Sequence, residues 1–174
     1  QRQRDDIPAE RLRYLRQDLR QPLHEQPFDA ALNIFTSLGY GTEADDMAVL
    51  STLRCALRRQ GRLFIETAHR DRITVALSHG QNHARRLSDN TLVMEETRLD
   101  AVSGRVDSTL YWSGPAGCGQ KHSSVRIYTA TELVRLVEAA GFRLVSVHDG
   151  CSPAPFAASG PTMSSRIGIL ALRD

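Results

Sequence analysis

FDAALNIFTSLGYGTEADD, residues 28–46, is the stretch on which the reading of this chain turns. Phe28, Ala30, Ala31, Leu32 and Ile34 make a short apolar run, the pattern of a strand buried in a sheet. Within a few positions the run gives way to Asn33, Thr36, Ser37, Gly39 and Gly41, and then to a helix start. A solvent turn can look like this, and so can the mouth of a ligand site.

Working outward, residues 43–59 read as a helix, with Met47, Leu50, Leu53 and Leu57 on one face. Thr42 is the expected N-cap. Glu43, Asp45 and Asp46 crowd the first turn and Arg54, Arg58 and Arg59 the last, which suits the helix dipole at both ends. Gly61 stands where a left-handed C-cap is expected. GRLFIETAH then reads as a second buried strand, so strand, helix and strand form a parallel βαβ unit. Upstream, RLRYLRQD (11–18) alternates apolar and charged positions and predicts a short strand ending at Asp18. Downstream, residues 71–80 predict a short helix. TLVMEETRLD and RVDSTLYW predict an antiparallel hairpin turning at Ser103-Gly104, and SSVRIYT a further strand. TATELVRLVEAAGF carries a capping box, Thr129 with Glu132, and a helix stopped by Gly141. FRLVSVHDG and SRIGILALRD predict two last strands.

The 174 residues suit one domain with a hydrophobic core. A net charge of +2 does not make the clustered basic face that nucleic acid requires. Three cysteines, Cys55, Cys118 and Cys151, form no CxxC pair and leave one unpaired in any bridging scheme, which points to reduced thiols in the cytoplasm. No apolar run approaches membrane-spanning length. QRQRDD reads as the middle of a longer chain.

In open parallel sheets ligands bind beyond the carboxyl ends of the strands. Here those ends carry Asp18, Asn33 to Gly41, Glu66 to His69, and His148 to Gly150. A carboxylate there can accept from an amino or hydroxyl group, and Asn, Thr and Ser can hold polar atoms without adding charge. Asp18 and Ser37 read equally well as solvated loop residues. His69, after Glu66-Thr67, is either a candidate base or a loop residue. Arg126 and Tyr128, alternate residues of one predicted strand, are either acceptor-binding or structural. His79 and His83 could share a helix face, but no third metal ligand is evident. Cys118 and His122 fall in a predicted loop, and GPAGCG (114–119) reads as a flexible turn.

FDAALNIFTSLGY followed by a helix, RRQGRLFIET, a hairpin and RIYTATELVRLVEAAGFRLV together resemble the later part of class I S-adenosylmethionine-dependent methyltransferases. The likeness runs from about residue 11 to the end. It implies an α/β fold: the later portion of a Rossmann-like sheet, mostly parallel with an antiparallel last strand, plus an antiparallel β insertion at about residues 84–127. The chain is then a single, incomplete methyltransferase domain. The implied cofactor is S-adenosyl-L-methionine and the implied acceptor a small molecule, with no membrane or nucleic acid. By the same resemblance Asp18 matches the acidic residue that bonds the adenine amino group, and Leu19 the neighbour bordering the ring. Asn33, Ile34, Phe35 and Ser37 match the motif facing the methionine part. The family's D-x-G-x-G motif has no counterpart in these residues. In that sheet order the strand at 28–34 would keep an unpaired edge, which predicts self-association. The alternatives are a non-catalytic methyltransferase-like binding domain and a nucleotide-linked oxidoreductase.

Overall fold

The computed structural model describes residues 12–23, 27–78, 82–156 and 164–174. The apolar run becomes β1 (Phe28–Asn33), and the segment after it becomes α1 (Glu43–Ala56). Thr42 caps α1 as its composition predicts: the Thr42 hydroxyl accepts from the Asp45 amide and the Asp45 carboxylate accepts from the Thr42 amide. The helix ends three residues earlier than its periodicity predicts. Leu57 is wholly buried and already extended, so it opens β2 (Leu57–Ala68) and draws Arg58 and Arg59 into the strand. The left-handed residue at that junction is Gln60, not Gly61.

β1 and β2 pair in parallel, Leu32 beside Phe64 and Asn33 beside Ile65. After α2 (Arg70–Ser78) the chain leaves for a second sheet and returns through α3 (Ala130–Ala139), β7 (Phe142–His148) and β8 (Arg166–Arg173). The main sheet has the order β1-β2-β8-β7, with β8 antiparallel to both neighbours. β1, β2 and β7 therefore run one way and the last strand the other. Leu63, Ile65, Ile167, Ile169 and Ala171 line one face of this sheet, and Leu50 of α1 and Leu133 and Val137 of α3 pack on it. Each such aliphatic side chain contributes about 1.5–3 kcal/mol by leaving water.

The second sheet is an antiparallel meander, β3 (Asn82–Arg86), β4 (Leu92–Asp100), β5 (Arg105–Gly114) and β6 (Gly117–Arg126). It covers residues 82–126, where the sequence reading expects an antiparallel insertion at about 84–127, and Gly104 turns with φ +67° where Ser103-Gly104 was predicted. GPAGCG is not a flexible turn. Only Pro115 and Ala116 turn; Cys118 and Gly119 are paired strand residues, and a Cβ on Gly119 would meet the Trp112 ring at 2.5 Å. His122 likewise lies in β6, opposite Thr109, and His83 lies in strand β3, so it cannot share a helix face with His79, which falls outside the described residues.

The predicted strand at 11–18 does not form. Residues 12–18 have no regular structure, Tyr14 is 87% exposed, and the chain turns with the Gln21 amide on the Asp18 carbonyl. Alternation gives a strand a face, but a strand also needs a neighbour. No described residue pairs with the outer edge of β1.

Candidate functional site

The carboxyl end of β1 is a turn built under strain. Phe35 and Thr36 have φ of 59° and 56°, a left-handed path that bulky and β-branched residues rarely take. Polar groups on β2 and β8 hold it there. The Phe35 amide donates to Glu66 Oε2 at 2.8 Å and the Thr36 amide to the Glu66 carbonyl at 3.3 Å. Thr36 Oγ1 accepts from the Ala68 amide at 3.2 Å and from Arg166 Nη2 at 3.1 Å. Arg166 in turn grips both carboxylate oxygens of Glu66, with Nη2 2.7 Å from Oε2. Glu66 is only 3% exposed.

The turn presents two groups of different kinds. Asn33 is 5% exposed, and its Oδ1 is buried without a hydrogen-bond partner. The Phe35 ring is 80% exposed. Ser37 spends its hydroxyl on the Ile34 carbonyl at 2.6 Å, closing the turn. The chain then docks on the insertion. The Arg126 amide donates to the Gly39 carbonyl at 2.8 Å, and Arg105 Nη1 to the Gly41 carbonyl at 3.0 Å.

A cavity of about 490 Å³ lies at the end of β2, lined by His69, Asp71, Val75, Ala130 and Phe156 among others. It adjoins the turn through the chain itself. Its wall residues His69 and Ser165 each neighbour a residue, Ala68 or Arg166, that bonds Thr36 Oγ1. His69 is buried, and its Nε2 accepts from the Ala130 amide at 3.1 Å. Its basic nitrogen is therefore occupied, Nδ1 carries the proton, and Nδ1 finds no partner. Burial pushes its pKa below the ordinary 6.5, with Asp71 opposing and Arg72 and Arg70 assisting.

The remaining predicted site residues lie elsewhere. Asp18 is exposed and engaged by Arg20, whose Nη2 sits 2.7 Å from Oδ2; the Arg20 guanidinium lowers the Asp18 pKa to about 2. Arg20 also reaches Asp45 Oδ1 at 2.7 Å, so Asp18 and the half-exposed Leu19 sit by the start of α1. Arg126 and Tyr128 do not share a strand. Arg126 ends β6, while Tyr128 bridges to His69 on the main sheet. Tyr128 is 1% exposed with its hydroxyl on Asp46 Oδ2 at 2.5 Å, a core position, and Arg126 pairs with Glu43 at 2.7 Å above the Tyr128 ring. Arg166 is the member that the sequence reading missed; it placed Thr36 and Glu66 at the strand ends without giving either a partner. A glutamate inside the apolar run LFIETA signals a buried partner, but nothing local to it points to Arg166.

These residues divide in their fit to S-adenosylmethionine. The orphaned Asn33 Oδ1 suits an amino donor, and the exposed Phe35 ring suits an apolar contact. Asp18, closed by Arg20, offers no free carboxylate to an adenine. Among the described residues no cluster of His, Cys, Asp or Glu could hold a metal ion, and no helix is long and apolar enough to cross a membrane.

No protein-family model and no curated protein sequence matches this chain. Solved structures do. An S-adenosylmethionine-dependent methyltransferase from Clostridium acetobutylicum superposes with a TM-score of 0.74 at 13% identity, over 90% of this chain and 63% of that one. The CcbJ methyltransferase from Streptomyces caelestis gives 0.73 at 16% identity, over 91% and 62%. An amino pentose methyltransferase from Micromonospora echinaspora, solved with S-adenosylmethionine bound, gives 0.59 at 18% identity, over 91% and 63%. The chain thus spans less than two thirds of the length of each. What it shares with them is the α/β fold of class I S-adenosylmethionine-dependent methyltransferases.

Proposed function

We propose that this chain forms the acceptor side of an S-adenosylmethionine-dependent methyltransferase, with a small molecule as acceptor. The observation that carries the reading is the orphaned Asn33 Oδ1 at the end of the strand that enters a strained turn. A buried acceptor without a donor costs about 1–3 kcal/mol, and such a group calls for a partner, for which a ligand's amino group is one fit. The methyltransferase fold supports the same cofactor, since three of the neighbouring structures hold S-adenosylmethionine or S-adenosylhomocysteine.

The bound cofactor supplies an activated sulfonium methyl, so the protein's task is alignment and exclusion of water. Asn33 Oδ1 would accept from the amino group of the methionine part, and the exposed Phe35 ring would offer it an apolar contact. Val75, Ala130 and Phe156 would seat the acceptor in the adjoining cavity, whose volume suits a small molecule. His69 is a wall of that cavity rather than its base, because Nε2 is engaged.

Asn33→Ala tests the reading by the sign of two effects. Titration of S-adenosylmethionine into the variant should show affinity weakened by about tenfold, the order of one lost hydrogen bond. The melting temperature without cofactor should not fall, since an unpaired buried acceptor has been removed. A lowered melting temperature with unchanged affinity would refute the assignment. A wild-type protein that binds neither S-adenosylmethionine nor NAD would favour a non-catalytic domain.

A further inference from the structure

The Phe35–Thr36 turn departs from the habit of the rest of the chain. At Gly39, Gly104, Gly117, Gly141 and Gly150 a positive φ is taken by glycine, which adopts it freely, and at Gln60 and Asn90 by one polar residue each. Here it is taken twice in succession by an aromatic and a β-branched residue. Glycine at either position would relax the turn, so stability alone does not explain the choice. The support beneath the turn is equally costly on its own, because burying a carboxylate is unfavourable unless it is paired and fully hydrogen-bonded. Glu66 meets that condition only by serving the turn: one oxygen takes the Phe35 amide, both take the Arg166 guanidinium, and Arg166 reaches on to Thr36 Oγ1. Strain and buried charge each disfavour the folded chain separately and are compatible only together. Their joint product is the exposed Phe35 ring and the direction of the strand end that carries Asn33.

We propose that Glu66 and Arg166 are positioning residues, an ion pair with a buried carboxylate and a part-exposed guanidinium that fixes the left-handed Phe35–Thr36 turn and through it the cofactor contacts of Asn33 and Phe35. This rests on the methyl-transfer reading above. Neither residue touches the cofactor. They act through the backbone amide of Phe35 and the hydroxyl of Thr36, so their removal should loosen the turn before it unfolds the protein.

Three variants of the whole protein test this, read by S-adenosylhomocysteine titration, amide hydrogen exchange without ligand, and melting temperature. Glu66→Gln keeps the shape and removes the charge. Its Phe35 amide should exchange faster, and its Kd for S-adenosylhomocysteine should rise about tenfold or more, as expected for a lost charged hydrogen bond. Thr36→Val removes only the hydroxyl that Arg166 and the Ala68 amide share, leaves the ion pair intact, and should raise Kd by about three- to tenfold; it carries the test should Glu66→Gln fail to fold. Ile169→Val, in the core and with no side-chain hydrogen bond to the turn, should lower stability with Kd and Phe35 exchange unchanged, and so exposes any effect due to instability alone. A Kd unchanged in both turn variants, or raised equally in Ile169→Val, overturns the positioning role while leaving the methyl-transfer reading in place. A wild-type protein that does not bind S-adenosylhomocysteine overturns both.

Discussion

Asp46 accepts from two directions at once, the Gly39 amide at 2.9 Å on Oδ1 and the Tyr128 hydroxyl at 2.5 Å on Oδ2. Burial and the Asp46 carboxylate both raise the Tyr128 pKa, so this hydroxyl stays a donor. Tyr128→Phe strands one carboxylate oxygen in the core and should cost about 1–3 kcal/mol, read as a lower denaturation midpoint with the same slope. His69 gives a pH signature. The folded protein favours its neutral ring, with a pKa held below 6.5, so unfolding takes up a proton in the window between that lowered value and 6.5. The stability it contributes is complete above about pH 6.5 and is lost as the pH falls through the window. The melting temperature of the wild type should therefore drop on acidification from about pH 7 to 5, and His69→Asn should flatten that drop. An equal slope in both proteins would place the titration on other groups.

Among the elements, the loop at 39–41 shows how a glycine can be required by space as well as by conformation. A Cβ at Gly39 would stand 2.1 Å from the Arg126 carbonyl oxygen, at φ +95°. At Gly117, φ is +120° and nothing lies within 4 Å. Gly117→Ala should cost about 1 kcal/mol through conformation alone, whereas Gly39→Ala should cost about 3 kcal/mol by also undocking the insertion from α1. Melting curves of the two variants check the difference. The same contrast explains what the sequence discloses. α3 is legible almost to the residue because its capping box and Gly141 lie within its own segment. The end of α1 is not, since Leu57 continues the helical stripe and only the packed sheet makes it a strand residue. Asn33 to Ser37 are legible as a site because apolar residues give way abruptly to polar ones. Arg166 is not, because its partner Glu66 stands 100 residues away and no local pattern encodes that pairing.

At the scale of the whole molecule, β1 is the edge of the main sheet, with Phe28 exposed and Leu32 70% exposed. An open apolar edge recruits other strands, so the chain should self-associate as its concentration rises. Leu32→Lys, a charge on that edge, should shift it toward monomer in sedimentation velocity; an unchanged distribution would remove the edge as the cause. The two sheets also differ in how far apart along the chain their partners lie. Every pairing in β3–β6 joins neighbouring strands through a short turn, so the meander closes few residues at a time. β2 finds its second partner only when β8 arrives, with Phe64 beside Leu170. Long-range pairings close slowly, because the loop entropy must be met before any contact forms. The consequence is an order of events during synthesis. The insertion can assemble before β8 is made, but β2 waits with one edge open and Glu66 unpaired until Arg166–Arg173 emerge. The period in which this protein is most exposed to aggregation is therefore set by β8, and a chain cut before Arg166 would never leave it.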